Sequence, residues 1–146
     1  MIIAASVFAY GSTAKAATYV IGDSIAVGTK MFAPVHCESY SKGGWNTWQW
    51  NQKWGTTPLD ASIVVISLGT NDHKYIKTEQ ELRKMRERVH GNKVVWVMPP
   101  CNEVFCKQNV NDIVTKIAGE YHDIIVKTNK LQPDHIHPSW SGYKEL

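Results

Sequence analysis

The groups that an acyl transfer needs are all present, far apart in the chain. Ser24 offers a hydroxyl directly after a tight turn, in Ile21-Gly22-Asp23-Ser24. His137 is a base able to accept its proton. Asp134, three residues earlier, can turn back to the imidazole within one loop and fix its tautomer. Oxyanion donors are available too: Gly44 presents a backbone N–H with no side chain in the way, and Asn71 presents a side-chain NH₂. The N–H of Ser24, at a helix start, is a further donor.

Each residue alone has a plainer reading. Ser24 would serve as a helix N-cap, and Asn71 and Asp72 as turn formers. Asp23 and Asp72 are expected to bond backbone near their turns rather than to react. His135 stands two residues before His137, but only Asp134 and the distant His73 would complete a metal site, so no metal and no cofactor is expected. His36, His90 and His122 are expected at the surface or at helix ends. Rival motifs fail on spacing. Five residues separate Gly22 from Gly28, and Thr29-Lys30 reverses the order that a phosphate loop needs. Ser24 is not in G-x-S-x-G, and no G-x-G-x-x-G follows a strand.

Five apolar runs are expected to form the strands that carry these groups: Thr18 to Ile21, Val35 to Tyr40, Ala61 to Leu68, Lys93 to Met98, and Asp123 to Lys127. Runs such as Ser62 to Leu68 are apolar on both faces, as in a parallel sheet covered on both sides. Helical patterns lie between them. Thr78 to His90 has Thr78 as N-cap and Glu81 in a capping box, with Leu82, Met85 and Val89 on one face and Gly91 as the stop. Its charges, Glu79, Glu81, Arg83, Lys84, Arg86, Glu87 and Arg88, are expected on a solvated outer face. Asn109 to Tyr121 is helical by the spacing of Val110, Ile113, Val114 and Ile117. Weaker patterns cover Ile25 to Met31 and the residues from Ser139. Alternation of strand and helix predicts a three-layer α/β/α sandwich around a mostly parallel sheet. Ligands bind such sheets at the carboxyl ends of the strands. The candidate residues all fall in loops that follow strands or lie near the C-terminus.

In order along the chain, these loops read GDS at Gly22 to Ser24, KGG at Lys42 to Gly44, GTND at Gly69 to Asp72 and DHIH at Asp134 to His137. The chain resembles the SGNH, or GDSL-type, hydrolase family on these four segments, which span nearly all of it after the first residues. The resemblance implies a flavodoxin-like five-stranded parallel sheet. It also implies Ser24 as nucleophile, Asp134 and His137 completing a triad, and Ser24, Gly44 and Asn71 as oxyanion donors. Gly43 or Gly44 fits the second block. Gly44 is favoured, because Trp45-Asn46-Thr47 then follows where the family usually opens its next helix.

Length and composition set the frame. The 146 residues suffice for one domain with a real core. A net charge of +3 without a basic run does not imply nucleic acid. Residues 1–16 look like a signal peptide, with an apolar stretch from Ile2 to Tyr10 and Ala14-Lys15-Ala16 as a cleavage site. The hydrolase domain is then 17–146, and a secreted or periplasmic location is expected. The apolar stretch is far short of the ~20 residues of a membrane span. Cys101 and Cys106 are candidates for a disulfide in an oxidising compartment, leaving Cys37 buried.

The substrate signal is the tryptophan content. Six are present, and Trp45, Trp48, Trp50 and Trp54 fall together after the second block. Either Trp50 and Trp54 simply pack on the sheet, or the group forms a stacking platform for sugar rings. Trp45, Gly43 and His73 are the substrate-contact candidates. A monomeric esterase acting on an O-acetylated polysaccharide or another small acyl ester fits best. A short-chain lipase or thioesterase, and a non-catalytic carbohydrate-binding protein, are the alternatives.

Overall fold

The computed structural model describes residues 18–33 and 36–146. The expected leader, the domain start at Ala17, and Val35 at the head of the second expected strand lie outside the described residues. Strand and helix alternate without exception: β1 (Thr18–Gly22), α1 (Ser24–Met31), β2 (Cys37–Ser41), α2 (Thr47–Trp54), β3 (Leu59–Ser67), α3 (Thr78–Glu87), β4 (Val89–Met98), α4 (Gln108–Tyr121), β5 (Ile124–Lys127) and α5 (Trp140–Lys144). The strands form one parallel sheet in the order β2-β1-β3-β4-β5. This is the flavodoxin-like order, and its switch point lies where β1 meets β3.

The period-2 rule assigns the sheet's two faces. Ile21, Val64, Ile66 and Trp96 point to the larger layer and pack with Trp50 of α2, Leu82 and Met85 of α3, and Val110, Val114 and Ile117 of α4. Their neighbours Val20, Val65 and Val97 point the other way, to Ile25 and Ala26 of α1 and Tyr143 of α5. Each large apolar side chain buried in this way contributes about 1.5–3 kcal/mol. The runs are apolar throughout because both of their faces are covered. No helix of the described residues is long and apolar enough to cross a membrane.

The structure corrects the region around α3. The helix ends at Glu87, and Val89 to Gly91 belong to β4, paired with Leu59 to Ala61 of β3. Val89 is buried by this pairing at 3% exposure, and a β-branched residue gains more in a ladder than at a helix end. Thr78 is the first residue of α3 rather than its cap, and no side chain caps that end. The expected capping box is therefore absent. Nor are all the α3 charges solvated. Glu81 accepts from Asn51 Nδ2 at 2.7 Å and Lys84 Nζ at 3.1 Å. Arg86 is buried, with a two-pronged contact to Asp123 at 2.7 and 2.8 Å and its guanidinium over the Tyr121 ring. Asn51 lies on α2, Tyr121 ends α4 and Asp123 follows it, all out of reach of a pattern read along α3 alone.

Candidate active site

The loop after β1 turns sharply. Gly22 has φ +142°, and a Cβ there would collide with the Ser67 carbonyl, so only glycine fits. Asp23 N–H donates to that same carbonyl at 2.9 Å. Asp23 then caps α1, its Oδ1 accepting from Ile25 N at 3.0 Å. The carboxyl is fully buried, and burial pushes its pKa up to about 7 against the opposing pull of the Ile25 N–H, of Thr70 and of His137. Asp23 Oδ2 and Thr70 Oγ1 are both buried without a partner among the described residues. Asp23 is thus used up in holding the turn. Ser24 is the first residue of α1, where a backbone N–H has no helical acceptor.

The sheet ends bring together residues far apart in sequence. Ser24 Oγ lies 2.7 Å from His137 Nε2. His137 Nδ1 lies 2.7 Å from Asp134 Oδ2. Asp134 Oδ1 also accepts the N–H groups of Ile136 and His137 at 2.9 and 3.0 Å, which closes the turn that the three-residue spacing allows. The His137 contact, with these N–H groups behind it, holds the Asp134 carboxyl down at about 2. Asp134 is therefore an acceptor at any neutral pH. Nδ1 of a neutral His137 carries the proton toward it, and the Nε2 lone pair faces the Ser24 hydroxyl. This tautomer is assigned from the hydrogen-bond pattern.

On the opposite side stand the loops after β2 and β3. Trp45 N–H closes a turn on Lys42 O at 3.4 Å, with Gly44 in its third position at φ +78°, a conformation that favours glycine. Of the two glycines only Gly43 comes near Ser24: a Cβ on it would sit 3.7 Å from Ser24 Cβ, whereas one on Gly44 would meet nothing within 4 Å. Neither glycine N–H, nor that of Ser24, donates to any group among the described residues. Asn71 Nδ2 donates to Trp45 O at 3.0 Å, tying the two loops together and leaving its second N–H free to point elsewhere. Asp72 is the buried joint behind them. It accepts from Thr47 N at 2.8 Å and from the hydroxyls of Thr47 and Thr78 at 2.7 Å each. One carboxylate thus serves the first residues of α2 and α3, where helix dipoles favour negative charge.

The tryptophans divide. Trp50 is fully buried and donates to Tyr40 O at 2.8 Å. Trp54 packs on it and on half-buried Trp45, each at 5.5 Å between ring centroids. Trp48 points outward, 51% exposed. With His73 and the 79%-exposed Tyr75 it lines a groove of about 700 Å³ between α2 and α3. Asn46 and Gln49 of the capping box that starts α2 line it too. The groove begins one residue beyond Trp45 and two beyond Asn71. Of the three substrate-contact candidates His73 lines this groove, whereas Trp45 and Gly43 do not, and Trp48 is the exposed ring. The phase was legible in principle. An Asn46 cap fixes the rotation of α2, which turns Trp50 inward and Trp48 outward.

Two supporting residues had no motif to announce them. Cys101 and Cys106 are disulfide-bonded, and Cys37 is free and buried. Inside that small loop Asn102 donates from Nδ2 to His135 O at 2.9 Å, and just after it Lys107 Nζ donates to Asp72 O at 2.8 Å. Asn102 stands in a sequence suited to an Asx turn, the one signal available for it.

A hydroxyl, an imidazole and a carboxylate in hydrogen-bonded sequence, beside N–H groups with no acceptor, can perform acyl transfer. Comparison with curated proteins finds no match. The family model described as the GDSL-like Lipase/Acylhydrolase family matches residues 20–145, from the middle of β1 to the end of α5. The match spans every loop described above, and the chain belongs to this family of hydrolases.

Proposed function

We propose that this protein is a serine esterase that removes acetyl or other short acyl groups from a carbohydrate or cell-wall polymer. The observation that carries the reading is the unbroken contact from Ser24 through His137 to Asp134, at 2.7 Å in both steps. Ser24 Oγ attacks the ester carbonyl carbon while His137 Nε2 takes its proton. The carbonyl oxygen becomes an oxyanion, held by the N–H groups of Ser24 and Gly44 and by the Asn71 amide. Collapse expels the alcohol, which receives the proton from His137. Water, giving a proton to His137, then attacks the acyl-Ser24 carbonyl; collapse breaks the acyl–Oγ bond, Ser24 Oγ takes the proton back from His137, and the acid leaves. Asp134 holds the Nδ1 proton throughout and stabilises the imidazolium.

The groove between α2 and α3 supports the carbohydrate substrate. Two exposed aromatic rings line it together with the polar Asn46, Gln49 and Gln80 and the charged Lys77, Glu81 and Lys84, and among the described residues Ile76 is its one aliphatic lining side chain. Sugar rings present C–H faces and hydroxyls together, whereas an acyl chain needs a continuous apolar wall. Trp48→Ala is expected to raise KM for an acetylated glycan about tenfold, the size of one aromatic contact, and to raise it much less for p-nitrophenyl acetate. Equal effects on both substrates would detach the groove from glycan binding. The exposed Cys101–Cys106 bond and the pattern of residues 1–16 support a secreted or periplasmic location.

Labelling with a fluorophosphonate separates an esterase from a non-catalytic carbohydrate-binding protein. Ser24 is expected to be the phosphonylated residue, identified by peptide mass. A folded protein that fails to react would overturn the esterase reading. An activity panel of acetylated glycans, short acyl esters and thioesters then ranks the substrates.

A further inference from the structure

The loop from Cys101 to Cys106 is built around one side chain. Asn102 Oδ1 accepts the N–H groups of Val104 and Phe105 at 3.0 and 2.9 Å, and Asn102 N donates to Phe105 O at 2.8 Å. With Oδ1 engaged by two donors, the amide orientation is fixed, and Nδ2 must face outward. There it meets His135 O at 2.9 Å. His135 is the residue that bends the turn between Asp134 and His137, at φ +59°. Its own N–H is held by Gln132 O at 2.9 Å, so both of its peptide groups are tied. A non-glycine residue held at positive φ persists only where its surroundings over-determine it. The disulfide closes the Asn102 loop over a sequence separation of 5, and both cysteines are exposed.

We propose that the Cys101–Cys106 loop is a redox-dependent strap on the Asp134–His137 turn, with Asn102 as its positioning residue. The proposal rests on the esterase reading of that turn. A dithiol reductant delivers two electrons and two protons to the S–S bond, giving two thiols, and is itself oxidised to a cyclic disulfide. The opened loop no longer holds the Asn102 amide against His135 O, and the imidazole loses its fixed distance to Ser24. Displacement of a reacting group by about 1 Å costs on the order of 10²-fold in rate, so a partial loss of about tenfold in kcat is expected. KM should change little, since neither Asn102 nor the disulfide borders the α2–α3 groove.

The test measures kcat and KM for p-nitrophenyl acetate in wild type, Asn102→Ala and Cys101→Ser/Cys106→Ser, each before and after dithiothreitol. Thermal midpoints are recorded in parallel. The expected result is a kcat loss of about tenfold on reduction of wild type, a similar loss in Asn102→Ala, and no further loss when Asn102→Ala is reduced. Losses that multiply would overturn the strap, because the disulfide would then act by another route. So would a kcat within twofold of wild type in the reduced enzyme. Titration of wild type with dithiothreitol gives the answer even where a variant does not fold. Wild type inactive on every ester removes the esterase reading, and the strap's role with it. Active wild type that is indifferent to reduction removes the strap alone.

Discussion

Ser24→Ala is expected to reduce turnover of p-nitrophenyl acetate to background, a loss on the order of 10⁴- to 10⁶-fold. At about 1.36 kcal/mol per tenfold, this amounts to roughly 5–8 kcal/mol of transition-state stabilisation. No structural role of the side chain approaches that size. Asp23, not Ser24, caps α1, and the cap bond to Ile25 N survives the substitution. Among the described residues the only side-chain bond lost is the one to His137, whose side chain is 31% exposed and can be hydrated in its place. Net loss of such a bond is about 1 kcal/mol or less. The thermal midpoint should therefore stay close to that of wild type while activity vanishes. A variant that folds normally and keeps its activity would show that another group attacks the ester.

The loops that meet at Ser24 were legible because each block carries its own local reason. Gly22 ends an apolar run at a turn with positive φ, Gly44 stands in another turn, and Asp134 and His137 have a spacing that lets one side chain fold back on the other. The sheet was legible because buried parallel strands are apolar on both faces. What escaped was tertiary. Asp72 was read as a turn residue bonding backbone, which it does at Thr47 N, but its hydroxyl partners come from two different helices. Arg86 and Glu81 sit among exposed charges in the sequence, and only the approach of Asp123 and Asn51 explains their burial. The start of β4 was misplaced for the same reason. Arg88-Val89-His90 continues a helical charge pattern, and pairing with Leu59 to Ala61 outweighs it.

The second large effect is at Asn71, where two roles have to be separated. Its Nδ2 already holds Trp45 O at 3.0 Å, so alanine removes a loop-to-loop bond as well as the proposed oxyanion donor. The first loss is a partly buried neutral hydrogen bond, about 0.5–1.5 kcal/mol of stability. The second is the loss of one preorganised donor, about 2.7–4 kcal/mol of barrier, or 10²- to 10³-fold in kcat. The magnitudes decide the assignment. A loosened loop lowers the thermal midpoint modestly, but it cannot by itself account for a hundredfold loss in kcat. Asn71→Ala is therefore expected to lower kcat by 10²- to 10³-fold, with KM for a small ester little changed and the fold intact. Asn71→Asp sharpens the comparison. The carboxylate cannot donate to Trp45 O, and it sets a negative charge beside a developing oxyanion, so its kcat should fall below that of the alanine variant. Alanine and aspartate variants with kcat within about threefold of wild type would remove Asn71 from the oxyanion hole and leave Ser24 and Gly44 N–H as its donors.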